Sequence, residues 1–380
     1  MKTLAALIRK YVPLFALLLA LSPCIVAQEA PVVDIDNRID LSNTSIREIS
    51  ERWAKYASTN PDSVAERRKY WCRSDQEKFK DFDFTQPFLY SQMPFNFLLT
   101  YYYLVILSIE KEGDAFAIRT GYLAKSSTEE FTKGQNPWAI IRVYAIREEN
   151  TWKFTNAFNF RTKAWIMQRF GPITYHFDAG HPLNVQEAEK SVHFCDSLAA
   201  FLDIRQKNKF DYYICPAADQ LCELLGFDYC VSAYTTGIAF HNDLLISGTG
   251  SAFYPHEFVH QATGALPNYF IGEGSATWLG GVMGKSFITA VKDLSNAVAK
   301  NDTVSLDDVL ERKWGWHVNA FYVSGAIMCK TVYDRKGVAG LKQLFVLPED
   351  DSLLKAKLKE LLGEDPEKVW RKELLKYKTE

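Results

Sequence analysis

His256-Glu257-Phe258-Val259-His260 is the stretch on which the reading of this chain turns. On a helix, residues i and i+4 share a face, so both imidazoles can reach a single Zn²⁺. Glu257, beside the first histidine, then points toward the place a water would occupy. Two neutral nitrogen ligands, a third ligand from elsewhere and a carboxylate that takes the water's proton are what a metal-assisted hydrolase needs. So short a motif also arises by chance, and its surroundings have to decide.

They favour a site. Pro255 suits the first turn of a helix, where its missing N–H would have had no partner anyway. Phe258 and Val259 are apolar and predict a core-facing side, and Gly264 predicts the helix stop. After the loop Ala265 to Tyr269, a second helix is expected to begin near Gly272 and carry Glu273 inward. Its small residues Gly274, Ser275 and Ala276 would let it approach the first helix closely.

The run Glu273-Gly274-Ser275-Ala276-Thr277-Trp278, taken with the histidine pair, resembles the peptidase-MA-like gluzincins, a family of zinc metallopeptidases. The resemblance covers the chain from about Ile173 to its end. It implies a zincin-like domain with a small sheet and a mainly helical C-terminal part, acting on a peptide or protein substrate. His256, His260 and Glu273 are then implied as zinc ligands and Glu257 as general base. Tyr322-Val323-Ser324-Gly325-Ala326, closing near Arg335-Lys336-Gly337, matches the family's downstream helix. Leu361-Leu362-Gly363, Pro366-Glu367 and Trp370 read like its closing helices. The resemblance further implies Tyr322 as the oxyanion donor, ahead of His317 and Tyr254, and the strand Gly237–Phe240 as a substrate edge. One position departs from thermolysin-type members: the Asp that orients a histidine, four residues after the ligand glutamate, is here Thr277. The outer partner of the histidines is therefore open.

Length and composition frame this site. At 380 residues, with 47% apolar and 14% aromatic residues, the chain has material for two domains. A net charge of −2 gives no reason to expect nucleic acid or an anionic membrane surface as partner. No stretch is low-complexity and no internal repeat stands out. Lys2, Arg9 and Lys10 precede an apolar run from Tyr11 to Leu21, and small residues follow up to a candidate cleavage point after Ala27. Residues 1–27 therefore read as an export signal, placing the mature protein in a periplasm or outside the cell, with no membrane span left. Pro13 and Pro23 speak against a membrane anchor, and Pro23 directly before Cys24 against lipidation there. Cys72, Cys195, Cys215, Cys222, Cys230 and Cys329 would remain, either bridged or as buried thiols.

Two halves are visible. From 42 to 168 the pattern runs from helices to strands. Ser45-Ile46-Arg47-Glu48 has the form of a capping box opening a helix through Tyr56, and a second helix is expected from Asp62 to Trp71. Four β-rich runs follow: Leu99 to Glu110, Ala115 to Ala124, Trp138 to Arg147 and Thr151 to Phe158. Glu112-Gly113-Asp114 and Glu148-Glu149-Asn150 read as hairpin turns. The layout resembles a cystatin-like or nuclear-transport-factor-2-like α+β sheet, with an accessory role. Its aromatics Trp138, Tyr144, Trp152, Phe154 and Trp165 fit a core better than a pocket. From 172 to 380, strands at Ile173 to Phe177 and Phe210 to Cys215 flank a helix capped by Asn184. A helix from Asp219 to Leu225 and a hairpin, Thr236 to Phe240 and Leu244 to Ser247, come before the histidine helix. The chain after Thr277 reads as helical, with one start at Ser305. The expected class is α+β throughout. Two functions remain: an exported zinc peptidase, or a zinc-stabilised binding protein that recognises partners through its N-terminal sheet. Glu257 favours the first, because a structural metal has no need of a carboxylate at an open position.

Overall fold

Alternating apolar and polar residues after Tyr102 fold into an antiparallel meander of long strands: β2 (Tyr102–Glu112), β3 (Ala115–Ala124), β4 (Ala139–Glu148) and β5 (Thr151–Asn156). The computed structural model describes residues 33–378, apart from 80–81, 92–93, 127–131, 133, 204–208, 232–235, 241–242 and 302. Residues 1–27, expected from the sequence to be an export signal, and Cys24 among them lie outside the described residues. Both hairpin turns form where expected. Gly113 has φ 61°, and Glu149 and Asn150 have φ 50° and 62°, the left-handed pair that matches the twist of a two-residue hairpin. A short strand β1 (Val33–Ile35) adds in parallel to β2.

The helix Thr44–Ser58 lies against this sheet through Ile49, Trp53 and Tyr56, and the Trp53 ring meets Phe154 edge-on at 4.9 Å. Its cap is Asn43, whose side chain accepts the N–H groups of Ser45 and Ile46, so the expected box at Ser45 gives way to a cap two residues earlier. The helix expected over 62–71 is confined to Val64–Arg68, and further short helices occupy Arg73–Lys78, Gln86–Ser91 and Phe95–Tyr101. Trp138, Trp152 and Phe154 are buried in one core against which Trp165 packs, and Tyr144 is buried in a small separate cluster, so these aromatics are core.

A second sheet follows: β6 (Ile166–Phe170), β7 (Ile173–Phe177), β8 (Phe210–Ile214), β10 (Gly237–Phe240) and β11 (Leu244–Ser247), in the order β10-β11-β8-β7-β6. The strand β9 (Phe227–Cys230) leaves this region and pairs with β4 of the first sheet. It covers Ala139 to Ile141, while β5 covers Val143 to Glu148 of the same rim. Arg142 sits at the joint, its N–H bonded to Gly226 O at 2.7 Å and its guanidinium 2.8 Å from Asp228. Tyr213, Leu221, Leu224 and Phe227 share one core with the first sheet.

Beyond the second sheet the chain is helical. Tyr269–Gly280, Phe287–Ala299, Ala320–Phe345, Asp351–Leu362 and Pro366–Leu375 enclose a separate core around Val259, Ile271, Val323 and Trp370. The helix Ala320–Phe345 breaks at Gly337, with φ 64°, where the sequence placed its end. Ser305 caps a short helix through a reciprocal box with Asp308. The class is thus α+β with a mainly helical C-terminal part. No helix among the described residues is long and apolar enough to cross a membrane. All six described cysteines are thiols rather than disulfides.

Candidate metal centre and active-site cleft

The histidine helix is Pro255–Thr263, with proline in its first turn and Gly264 ending it at φ 73°. It is wedged between two cores. Phe258 packs under the second sheet against Tyr212 and Phe210, while Val259 faces the helical core. A fully buried phenylalanine contributes on the order of 2–3 kcal/mol, so the helix is fixed in rotation from both sides. The loop leading into it is clamped as well. Glu187 accepts the Ser251 hydroxyl at 2.7 Å and the Ala252 N–H at 2.9 Å, Tyr212 donates to Ser251 O, and Ser191 and Tyr175 donate to Ala252 O.

The partner helix begins at Tyr269 rather than near Gly272, because the Asn268 side chain caps it by accepting the Ile271 N–H. Glu273 therefore lies in the second turn. Its Oε2 is 3.2 Å from His256 Nε2 and 3.6 Å from His260 Nε2. These three side chains form a group able to hold a metal ion. His256 Nδ1 lies 2.7 Å from Gly281 O. The carbonyl can only accept, so Nδ1 carries a proton and Nε2 is the nitrogen turned toward Glu273. The outer partner of His256, left open by the sequence, is thus a backbone carbonyl. Gly281 reaches that position with φ 86°, and a Cβ on Gly280 would lie 2.4 Å from His256 N. Both glycines are needed for the approach.

Thr277 is fully buried and its hydroxyl has no hydrogen-bond partner among the described residues. Thr277→Val is expected to leave metal binding unchanged and to raise stability by up to about 1 kcal/mol. A urea midpoint that falls instead would assign the hydroxyl a structural role.

Two buried carboxyls in one site are driven in opposite directions. Burial alone would raise Glu273, but the facing His256 and His260 imidazoles outweigh it and hold its pKa at about 2. Burial pushes Glu257 above the ordinary carboxylate range, against the pull of both histidines and of a hydrogen bond from the Ala239 backbone of β10. For His256, burial acts downward, yet the facing Glu273 carboxylate makes the net shift upward. A carboxylate kept ionised is suited to be a ligand, and one held up toward neutrality is suited to exchange protons.

A cavity of about 820 Å³ opens over this group, and Glu257, Tyr254, Tyr269 and Tyr322 all line it. The Tyr322 ring is 6.3 Å from that of His256, and its hydroxyl is 2.8 Å from Tyr269 OH. Burial, with Glu273 next, raises the Tyr322 pKa, so the hydroxyl stays protonated. Burial first, and then the charge of Glu273, raise the Tyr269 pKa, so this hydroxyl too stays protonated. Sequence reasoning passed over Tyr269, although the i, i+4 spacing to Glu273 puts both on one helix face. Tyr254 OH is 2.9 Å from Thr236 Oγ1. His317 packs on Trp314, outside the cavity wall. His176 pairs with Asp211, His181 with Gly250 O, and His193 is exposed, so none of them joins the centre. His241 lies outside the described residues.

No protein family matches the sequence, and no curated protein does. Among solved structures, a mutant M1 zinc metallopeptidase from Deinococcus radiodurans, crystallised with a Tyr-Ser-Ala substrate, is similar at a TM-score of 0.33 and 11% identity. The match covers 72% of this chain and 64% of that one, so the chain spans somewhat less than two thirds of that enzyme's length. Likeness at this level gives no residue correspondence. Function has to be read from the site's own geometry.

Proposed function

We propose that the protein is an exported zinc-dependent peptidase of the gluzincin kind. The observation that carries this is the group His256, His260 and Glu273 with Glu257 beside it in an open cavity. The donor set fits zinc. In a tetrahedral site with bonds of about 2.0–2.1 Å, ligand atoms lie roughly 3.3 Å apart. The contacts to Glu273 are 3.2 and 3.6 Å, all three ligand atoms lie within 4.8 Å of one another, and His256 Nδ1 is already engaged by Gly281 O.

Zinc held by these residues would act as a Lewis acid toward water and the substrate carbonyl. Glu257 accepts the attacking water's proton and passes it to the leaving amine, a transfer its raised pKa favours. Tyr322, kept neutral, donates to the oxyanion, while Tyr269 orients Tyr322. Tyr322→Phe is expected to lower kcat about 10²-fold with KM little changed. An unchanged kcat/KM removes Tyr322 from that role. The segment 42–168 is read as accessory.

The direct test is digestion of a diverse peptide library by the protein without its leader, read by mass spectrometry. Cleavage is expected, abolished by a chelator and restored by zinc. Zinc-loaded wild type that leaves the library intact would turn the reading toward a metal-stabilised binding protein.

A further inference from the structure

The metal centre takes up only part of the cavity wall. Ile238, Phe240, Leu266, Val282, Met283 and Trp316 make much of the rest apolar. Two of these are left in water beside the centre: Met283 is 66% exposed and Trp316 76%. Their backbones hold them there. Met283 has φ 49°, an uncommon value for a residue with a side chain, in a turn closed by hydrogen bonds in both directions between Val282 and Lys285. Trp316 opens a three-residue 3-10 turn directly after Gly315, whose φ is 87°. Large apolar groups kept exposed on such a backbone, at the mouth of a reactive cavity, indicate contact with whatever enters.

Charge narrows what that is. Among the described residues the wall contains no Lys, Arg or Asp, and its acids are Glu257 and Glu273, both committed to the centre. Arg312 lies over the rings of Tyr269 and Phe321, at 4.9 and 4.5 Å, and is not part of the wall. An enzyme that trims chain ends must hold a terminal ammonium or carboxylate, and an ion buried without a partner is costly. Among the described residues this cavity has neither a spare acid nor a cation for that purpose. It has apolar surface.

We propose that the cavity takes internal stretches of polypeptide rather than chain ends, and selects a large apolar side chain beside the cleaved bond, packed on Met283 and Trp316. This rests on the peptidase reading above, and two readouts separate them. Peptides of one sequence carry Phe, Leu, Gly, Asp or Lys at a single varied position, with termini either free or acetylated and amidated. Hydrolysis is measured with zinc-loaded wild type, and binding by calorimetry with zinc-loaded Glu257→Gln. Blocked peptides are expected to be cut and bound as well as free ones, with Phe and Leu preferred over Gly and Asp by at least about tenfold. Trp316→Ala and Met283→Ala should each shrink that preference about fivefold or more, through KM more than kcat, with the thermal midpoint unchanged because both side chains are exposed. A requirement for a free terminus, equal treatment of Phe and Asp, or a preference untouched in both variants overturns the proposal. If no peptide is cut while Glu257→Gln protein still binds blocked Phe peptides selectively, the peptidase reading falls and the apolar cavity stands.

Discussion

Glu257→Gln is expected to retain stoichiometric zinc and to lose about 10³-fold or more in kcat. The amide keeps the size and burial of the side chain and can still meet the Ala239 backbone. It cannot take a proton near neutral pH, and general-base contributions of about 10²–10⁴-fold are typical. Because Glu257 is not among the three residues facing one another across the metal position, the donor group of His256, His260 and Glu273 is left intact. Metal analysis and steady-state kinetics on the same preparation check both halves. Retained turnover would remove Glu257 from the chemistry. Lost zinc would make it a ligand, and the site would have to be redrawn.

The second large effect is expected far from any proton transfer. A Cβ at Gly274 would lie 2.4 Å from Gly325 C and 2.7 Å from Gly325 O, and one at Gly325 would lie 2.4 Å from Phe270 O. The helices bearing Glu273 and Tyr322 thus touch backbone to backbone. No side-chain rotation can relieve such a contact. Alanine gains about 1 kcal/mol over glycine in helix propensity, but overpacking against a rigid neighbour typically costs about 1–3 kcal/mol and more where backbones must part. Gly274→Ala is therefore expected to destabilise the fold by about 2 kcal/mol and to weaken zinc binding about tenfold or more, because Glu273 moves with its helix. Gly272→Ala, two residues away, is the control. Its Cβ would meet only Leu266 Cβ, at an ordinary 3.8 Å, so it should be neutral or stabilising. Equal effects from the two substitutions would show that the close approach does not govern the site.

What could be read from the sequence follows the range of the interactions. The histidine pair, Pro255, Gly264 and the cap at Asn184 are local, and each sits where the sequence placed it. β3 and β11 keep their expected bounds because turn residues flank them. The misreadings are also local, where one cap competes with another: Asn43 displaces Ser45, and Asn268 starts its helix three residues early. Tyr269 was legible in principle, from its spacing to Glu273. The Gly281 carbonyl was not, because a backbone acceptor leaves no residue type to recognise. Nor was β9, whose pairing with β4 joins residues about 90 positions apart and has no signature in either segment.

That crossing strand bears on how the molecule comes apart. The rim of β4 is closed end to end by one strand from each half, so neither half can be withdrawn without baring main-chain donors and acceptors. Heating should give a single calorimetric peak. A gene truncated before Ile173 should yield protein that clumps through the vacated rim, and a nick between the halves should leave the pieces clasped. Such an interlock ties the first sheet to the part that bears His256, His260 and Glu273, so the two cannot swing apart as hinged bodies.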